Sequence, residues 1–188
     1  MGGSMVDVAT PIIFSNGTSV YDSLAKEYVV HSNGFFILAP SGSGKAYFVA
    51  SQPEGSRHWI DGDVLWPLTN ADPTDDTWES DFDLVQEINA RSDIITHQAK
   101  KLGFWVTGSS NLYLRPDAIV LPPWRLHKQQ ILQRQNGKSD GGVMTDNLEG
   151  VEKHRNWIAH WEVEGVPRFE SIQAAATYLQ ETIEQNTQ

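Results

Sequence analysis

Phe35-Phe36-Ile37-Leu38 is a continuous apolar run, and Ala39-Pro40-Ser41-Gly42-Ser43-Gly44-Lys45-Ala46 follows it at once. Strands covered on both faces read as unbroken apolar runs, whereas half-exposed strands alternate. The run therefore predicts a strand inside a parallel sheet. A turn rich in Gly and Ser breaks it, and Ala46–Ser51 opens a helix. Strand, turn and helix in that order form the unit from which layered α/β domains are built.

The rest of the chain repeats the pattern. A short helix is expected over Ser19–His31, with Val20, Leu24 and Tyr28 spaced four apart and Asn33-Gly34 as the stop. His58-Trp59-Ile60 predicts a second strand ending at Asp61, Phe104–Thr107 a third and Ala118–Leu121 a fourth. Between the second and third, a long helix at Asp81–Leu102 aligns Leu84, Ile88, Ile95, Ala99 and Leu102, and Gly103 ends it. Trp124–Gln135 predicts a helix after Pro122-Pro123, and Glu152–Trp161 another. A last strand near Val166–Phe169 precedes a helix at Ser171–Ile183, striped by Ile172, Ala175, Ala176, Leu179 and Ile183. Thr69–Thr77 reads as a loop. Asn136–Gly150, with Gly137, Asp140, Gly141, Gly142 and Asp146, reads as a flexible excursion. The expected fold class is α/β: three layers, a mainly parallel sheet of about five strands flanked by helices, plus a small lid. Ligands of such folds collect at the edge where the strands end.

Size and composition fit this. A chain of 188 residues suits one domain, taken here as 17–188 after an N-terminal extension over 1–16. The first few residues of that extension, before the second methionine at Met5, read as an addition. They lack the basic-then-apolar pattern of a secretory leader. No run approaches the roughly 18 apolar residues that cross a bilayer, so no membrane partner is expected. The formal net charge of −10 excludes a general nucleic-acid surface, which would cluster Lys and Arg. With no cysteine, disulfides and thiolate metal sites are excluded, and a reducing, cytoplasmic location fits. His154 and His160 stand six apart and no histidine pair has the zinc-helix spacing of four, so zinc is not expected. No Gly-x-Ser-x-Gly elbow suggests a serine hydrolase.

The strongest chemical signal lies at Ala39–Ala46. A phosphate-binding P-loop asks for Gly, four residues, Gly-Lys and then Ser or Thr. Ser41, Gly42, Ser43, Gly44, Lys45 and Ala46 fall in its nucleotide-cradling part. Gly42 and Gly44 let successive N–H groups turn towards phosphate oxygens. Lys45 adds a positive charge over the outer phosphates, and the following helix directs its dipole there. Two positions depart from the pattern. Ala39 replaces the first Gly, small for small. Ala46 replaces the Ser or Thr whose hydroxyl normally binds magnesium, which puts metal placement and catalysis in question.

With these residues, His58-Trp59-Ile60-Asp61-Gly62-Asp63 and the order of elements over Phe35–Ile183, the chain resembles the P-loop kinases of small molecules. This group includes nucleoside monophosphate, gluconate and adenylylsulfate kinases. The resemblance implies ATP and Mg2+ as cofactors and a small acceptor, with a nucleoside monophosphate the leading candidate. It implies that Asp61 and Asp63 orient the acceptor hydroxyl or hold magnesium through water. It also implies a lid over about 136–150, with Arg134 and Arg155 neutralising charge on the transferred group. Arg125, Lys128 and Lys153 flank the same stretch. The chain lacks the closely spaced arginine pair common in such lids. Thr107, Ser109 and Ser110 end the third strand where an Asp is often found. Trp66 and Trp78 are candidates to stack on a base, whereas Trp59, Trp105 and Trp124 read as packing residues. Two functions follow: an ATP-dependent phosphotransferase, or a kinase-derived protein that binds nucleotide and has lost the transfer step.

Overall fold

Phe35–Leu38 forms β1, the central strand of the computed structural model, which describes residues 20–69, 81–134 and 148–186. Trp59–Asp61 is β2, Trp105–Gly108 β3, Ala118–Val120 β4 and Arg168–Phe169 β5. The sheet order is β2-β3-β1-β4-β5, and every pairing is parallel. Its centre is dry: Ile37, Leu38, Val106, Ala118, Ile119 and Val120 are fully buried. Unbroken apolar strands are what a sheet covered on both faces requires.

Helices cover both faces. α1 is Val20–Glu27, α2 Lys45–Ala50, α3 Phe82–Lys101, α4 Trp124–Arg134, α5 Leu148–Val163 and α6 Ile172–Asn186. α6 packs on β1, β4 and β5 and touches α2, while α3 lies on β1 and β3 and α5 on β4. The expected stripe of α6 is buried at Ile172, Ala175, Ala176 and Leu179. This is the three-layer α/β architecture anticipated from the alternation of elements. None of the described helices is long and apolar enough to cross a membrane.

Local chemistry sets the ends of α3. The Asp81 carboxylate accepts from the N–H groups of Asp83 at 3.1 Å and Leu84 at 3.2 Å, capping two otherwise unpaired donors. Gly103 leaves the helix at φ 90°. A Cβ there would stand 2.0 Å from the His31 carbonyl oxygen, so glycine is demanded by both conformation and space.

Several boundaries differ from expectation. α1 stops at Glu27 rather than His31, because Tyr28 turns extended and pairs with Arg57. The following Val29-Val30 favour that conformation. Leu102 caps α3 from outside the helix and is 49% exposed, so it leaves the buried face. α5 starts at Leu148, which makes the last three residues of the expected excursion helical. The remainder of that excursion, the proposed lid, lies outside the described residues, as do Trp78 and all of the 69–77 loop after Thr69.

The connection from β3 to β4, residues 109–117, passes β1 without a helix. Asp93 of α3 holds it: the carboxylate accepts from the N–H groups of Leu112 at 3.0 Å, Tyr113 at 2.5 Å and Leu114 at 3.0 Å. Burial raises the Asp93 pKa, and the three donors pull it the other way.

Candidate functional site

The loop after β1 continues the ladder for one bond, Ala39 N–H to the Gly108 carbonyl at 2.8 Å, and then curls. Gly42 and Gly44 take φ of 80° and 92°. That left-handed backbone is cheap only for glycine, and it explains both positions in the motif. Lys45 opens α2 and is buried; its ammonium donates to the carbonyls of Ala39 at 3.3 Å and Pro40 at 3.1 Å. Ser43 Oγ is buried with no hydrogen-bond partner. An unpartnered buried hydroxyl is costly, and a phosphate oxygen at the loop would satisfy it. Ala46 is exposed. α2 spans only 6 residues, so its dipole is weak and the loop amides with Lys45 are the main anion-attracting groups.

α4 supports the loop from behind. His127 is fully buried, and its Nε2 lies 2.7 Å from the Ser41 carbonyl oxygen. Arg155 Nη1 lies 2.9 Å from His127 Nδ1, and Nη2 donates to the Pro122 carbonyl at 2.8 Å. A guanidinium only donates, so Nδ1 is the acceptor and Nε2 carries the proton given to Ser41. The Arg155 guanidinium also sits 5.4 Å from the Trp124 ring centroid, within cation–π range. Arg155 thus braces the loop in this conformation, where the sequence suggested an arginine facing the transferred group. Arg134 is the last residue of α4.

Asp61 ends β2, two strands from β1 and roughly 10 Å across the sheet at about 4.8 Å per strand. It is buried, and its carboxylate accepts the Asp63 N–H at 3.2 Å. Asp63 is exposed and lines a small cleft with Trp66, Thr69 and Ser109. Thr107 does not face that cleft: it is fully buried and donates to the Ile60 carbonyl at 3.3 Å.

Ser109 and Ser110 also border a second cavity of about 200 Å³, which reaches Gln86, Asn89, His154 and Trp157. The His154 pKa is lowered to about 4, first by burial and then by the charge of Lys45, while a Ser109 backbone hydrogen bond opposes the shift. The ring is therefore neutral at pH 7 and lies within the field of the loop lysine. Trp157 donates its indole N–H to Asn111 Oδ1 at 3.2 Å, and Asn111 Nδ2 donates to the Leu114 carbonyl at 2.9 Å. Trp59 and Trp105 are core residues, as expected, and Trp124 is half-buried.

The loop fits nucleotide phosphates on the strength of the two left-handed glycines, the buried lysine and the unpartnered Ser43 hydroxyl. Magnesium fits less well. Ala46 offers no oxygen, and among the described residues no group of three His, Asp or Glu gathers as a metal site. Asp61 and Asp63 lie at and just beyond the end of β2, in the same sheet as the loop's strand. His127, His154, Asn111 and Trp157 were not singled out from the sequence as site residues. Nothing local marks His127 or Trp157, whose partners lie on other segments, and Asn111 is joined both to nearby Leu114 and to Trp157 on α5. Comparison of the chain with protein-family models, curated proteins and solved structures gave no match.

Proposed function

We propose that this chain binds ATP at Ala39–Ala46 and transfers its terminal phosphoryl group to a small hydroxyl- or phosphate-bearing acceptor, a nucleoside or nucleotide being the leading class. The observation that carries the reading is the loop itself: two left-handed glycines and a buried lysine at the end of the central parallel strand. In the reaction the acceptor oxygen bonds to the γ-phosphorus as the bond to the β,γ-bridging oxygen breaks, and ADP leaves with that electron pair. Lys45 offsets charge on the phosphates, the loop N–H groups orient them, and Asp61 takes the acceptor's proton. If magnesium binds, Asp61 and Asp63 would be the residues to hold it through water, and it would supply further charge neutralisation. The lack of cysteine supports a reducing compartment such as the cytoplasm.

A second reading, nucleotide binding without transfer, is favoured by one feature. Ala46 has no hydroxyl where the motif places a metal ligand. ADP release with ATP, magnesium and a panel of nucleosides, nucleoside monophosphates and sugar acids separates the two, run beside Lys45→Ala and Ala46→Ser. Acceptor-dependent ADP above the Lys45→Ala control establishes transfer. Silence from both the parent and Ala46→Ser, with ATP still raising Tm, leaves the binding protein.

A further inference from the structure

The cavity at the end of β3 is closed on three sides by different segments. Gln86 and Asn89, one turn apart on α3, face it from one side, and His154 and Trp157 from α5 on the other; residues 109–112 complete the wall. Its position follows from the β3–β4 connection, which leaves a gap between α3 and α5. Two of the walls are tied in place by the protein itself: Asp93 binds the loop through three N–H groups, and Asn111 ties Trp157 to it. Such pre-organisation is what a binding subsite needs.

The chemistry of the lining is unusual for a phosphate site. Among the described residues it offers carboxamides, hydroxyls, an indole and an imidazole, and no Lys, Arg, Asp or Glu. A 5′-phosphate brings close to two negative charges. Buried sites for that group commonly pair Arg or Lys with backbone N–H groups. The volume of about 200 Å³ exceeds the ~150 Å³ known to hold a benzene ring. One ring system therefore fits, its edge within the reach of amides that both donate and accept, beside an indole on which it can stack.

We propose that the Gln86–Asn89–Trp157 cavity is the acceptor subsite and takes an uncharged heterocycle of the nucleoside class rather than its 5′-monophosphate. The assignment of this pocket as an acceptor subsite rests on the phosphotransferase reading, but its preference for an uncharged ring stands on the lining alone. Ser109 of the lining directly follows Gly108, whose carbonyl accepts the Ala39 N–H where the loop begins, so the cavity borders the foot of the phosphate loop. The subsite narrows the acceptor from nucleosides and nucleotides in general to nucleosides, which carry no phosphate of their own.

Calorimetry on the full chain tests this, titrating adenosine, guanosine, cytidine and uridine beside each one's 5′-monophosphate, with a non-hydrolysable ATP analogue titrated separately. The expected result is saturable binding of at least one nucleoside, with its monophosphate at least tenfold weaker. Gln86→Leu and Asn89→Leu should each weaken the nucleoside tenfold or more while the ATP analogue binds as before. Asn89→Arg should narrow the gap between nucleoside and monophosphate. No nucleoside binding, equal or tighter binding of the monophosphate, or indifference to both leucine variants overturns the proposal. The ATP titration keeps the two readings apart. A nucleoside that binds while the analogue does not refutes the phosphate loop and leaves the pocket standing; the reverse refutes the pocket alone.

Discussion

His127 and Ser41, 86 positions apart in the chain, are joined by a single hydrogen bond of 2.7 Å from a fully buried imidazole to a loop carbonyl. That bond, and the Arg155 contact behind it, make the base of α4 and the middle of α5 part of the phosphate loop's foundation.

Replacing His127 should therefore loosen the loop. His127→Ala strands the Ser41 carbonyl and one Arg155 donor, at a cost of about 1–3 kcal/mol. ATP should raise Tm less in this variant than in the parent, with affinity roughly tenfold lower by calorimetry. His127→Gln, which keeps a donor near the carbonyl, should recover part of the loss. Unchanged ATP affinity in His127→Ala would show the brace to be irrelevant to the loop.

Gly42→Ala should fail for two independent reasons. The backbone sits at φ 80°, and a Cβ would meet Ile131 Cγ1 at 2.8 Å. We expect a loss of about 1–3 kcal/mol, or about 2–4 °C in Tm for each kcal/mol in a chain of this size. ATP binding should fall with it. Gly44→Ala, with open space around its Cβ position, should show the strain of φ 92° alone and cost less stability. Equal melting temperatures for the two variants would contradict this ordering.

Acid should weaken the fold through two histidines as pH falls below 6.5. The His31 ring stacks on Trp105 at 3.6 Å, with its Nε2 3.2 Å from His58 Nδ1. Burial first, and His58 second, lower its pKa to about 4; His154 is lowered to about 4 as well. Both folded values lie below the unfolded value of 6.5, so the unfolded chain takes up the protons first as pH falls. Their contribution is fully present above pH 6.5, is lost between 6.5 and 4, and changes no further below that. Each proton can contribute at most about 1.4 kcal/mol per pH unit, and His31 less because its ring is partly open to water. The urea midpoint should fall from pH 7.5 to pH 5, and His31→Asn and His154→Asn should each flatten the slope. A slope untouched by either substitution would rule these rings out as its source.

Asp117 gives a stability test remote from the loop. Its Oδ2 accepts the Phe36 N–H at 2.7 Å and the Lys100 ammonium at 2.6 Å, tying the starts of β1 and β4 to the end of α3. Asp117→Ala leaves a backbone donor and a largely buried lysine without this partner. Unfolding by urea should register about 2–4 kcal/mol, while ATP affinity in the folded protein stays within twofold.

The layered fold was legible because its signals are local. Phe35–Leu38 announces a doubly covered strand, Asp81 and Gly103 bracket α3, and the stripe from Ile172 to Leu179 fixes the buried face of α6. The end of α1 was not, since Tyr28 leaves the helix to pair with Arg57, a contact the helical spacing cannot encode. The loop glycines were equally plain, being required by backbone geometry. Their support was hidden: His127 and Arg155 acquire their roles only when α4 and α5 fold over Ser41. The cavity beside them is assembled from α3, the 109–112 stretch and α5, and no single window of sequence contains it.

The way residues 109–117 are fastened has one more effect. Asp93 grips backbone N–H groups, and a backbone grip is indifferent to which side chains the stretch carries. Sheet register and pocket chemistry are therefore separable: the side chains at Ser109, Ser110 and Leu112 can be exchanged without loosening the anchor. A scaffold wired this way can change what it recognises by rewriting a few adjacent codons, with the strands and the phosphate loop left as they are.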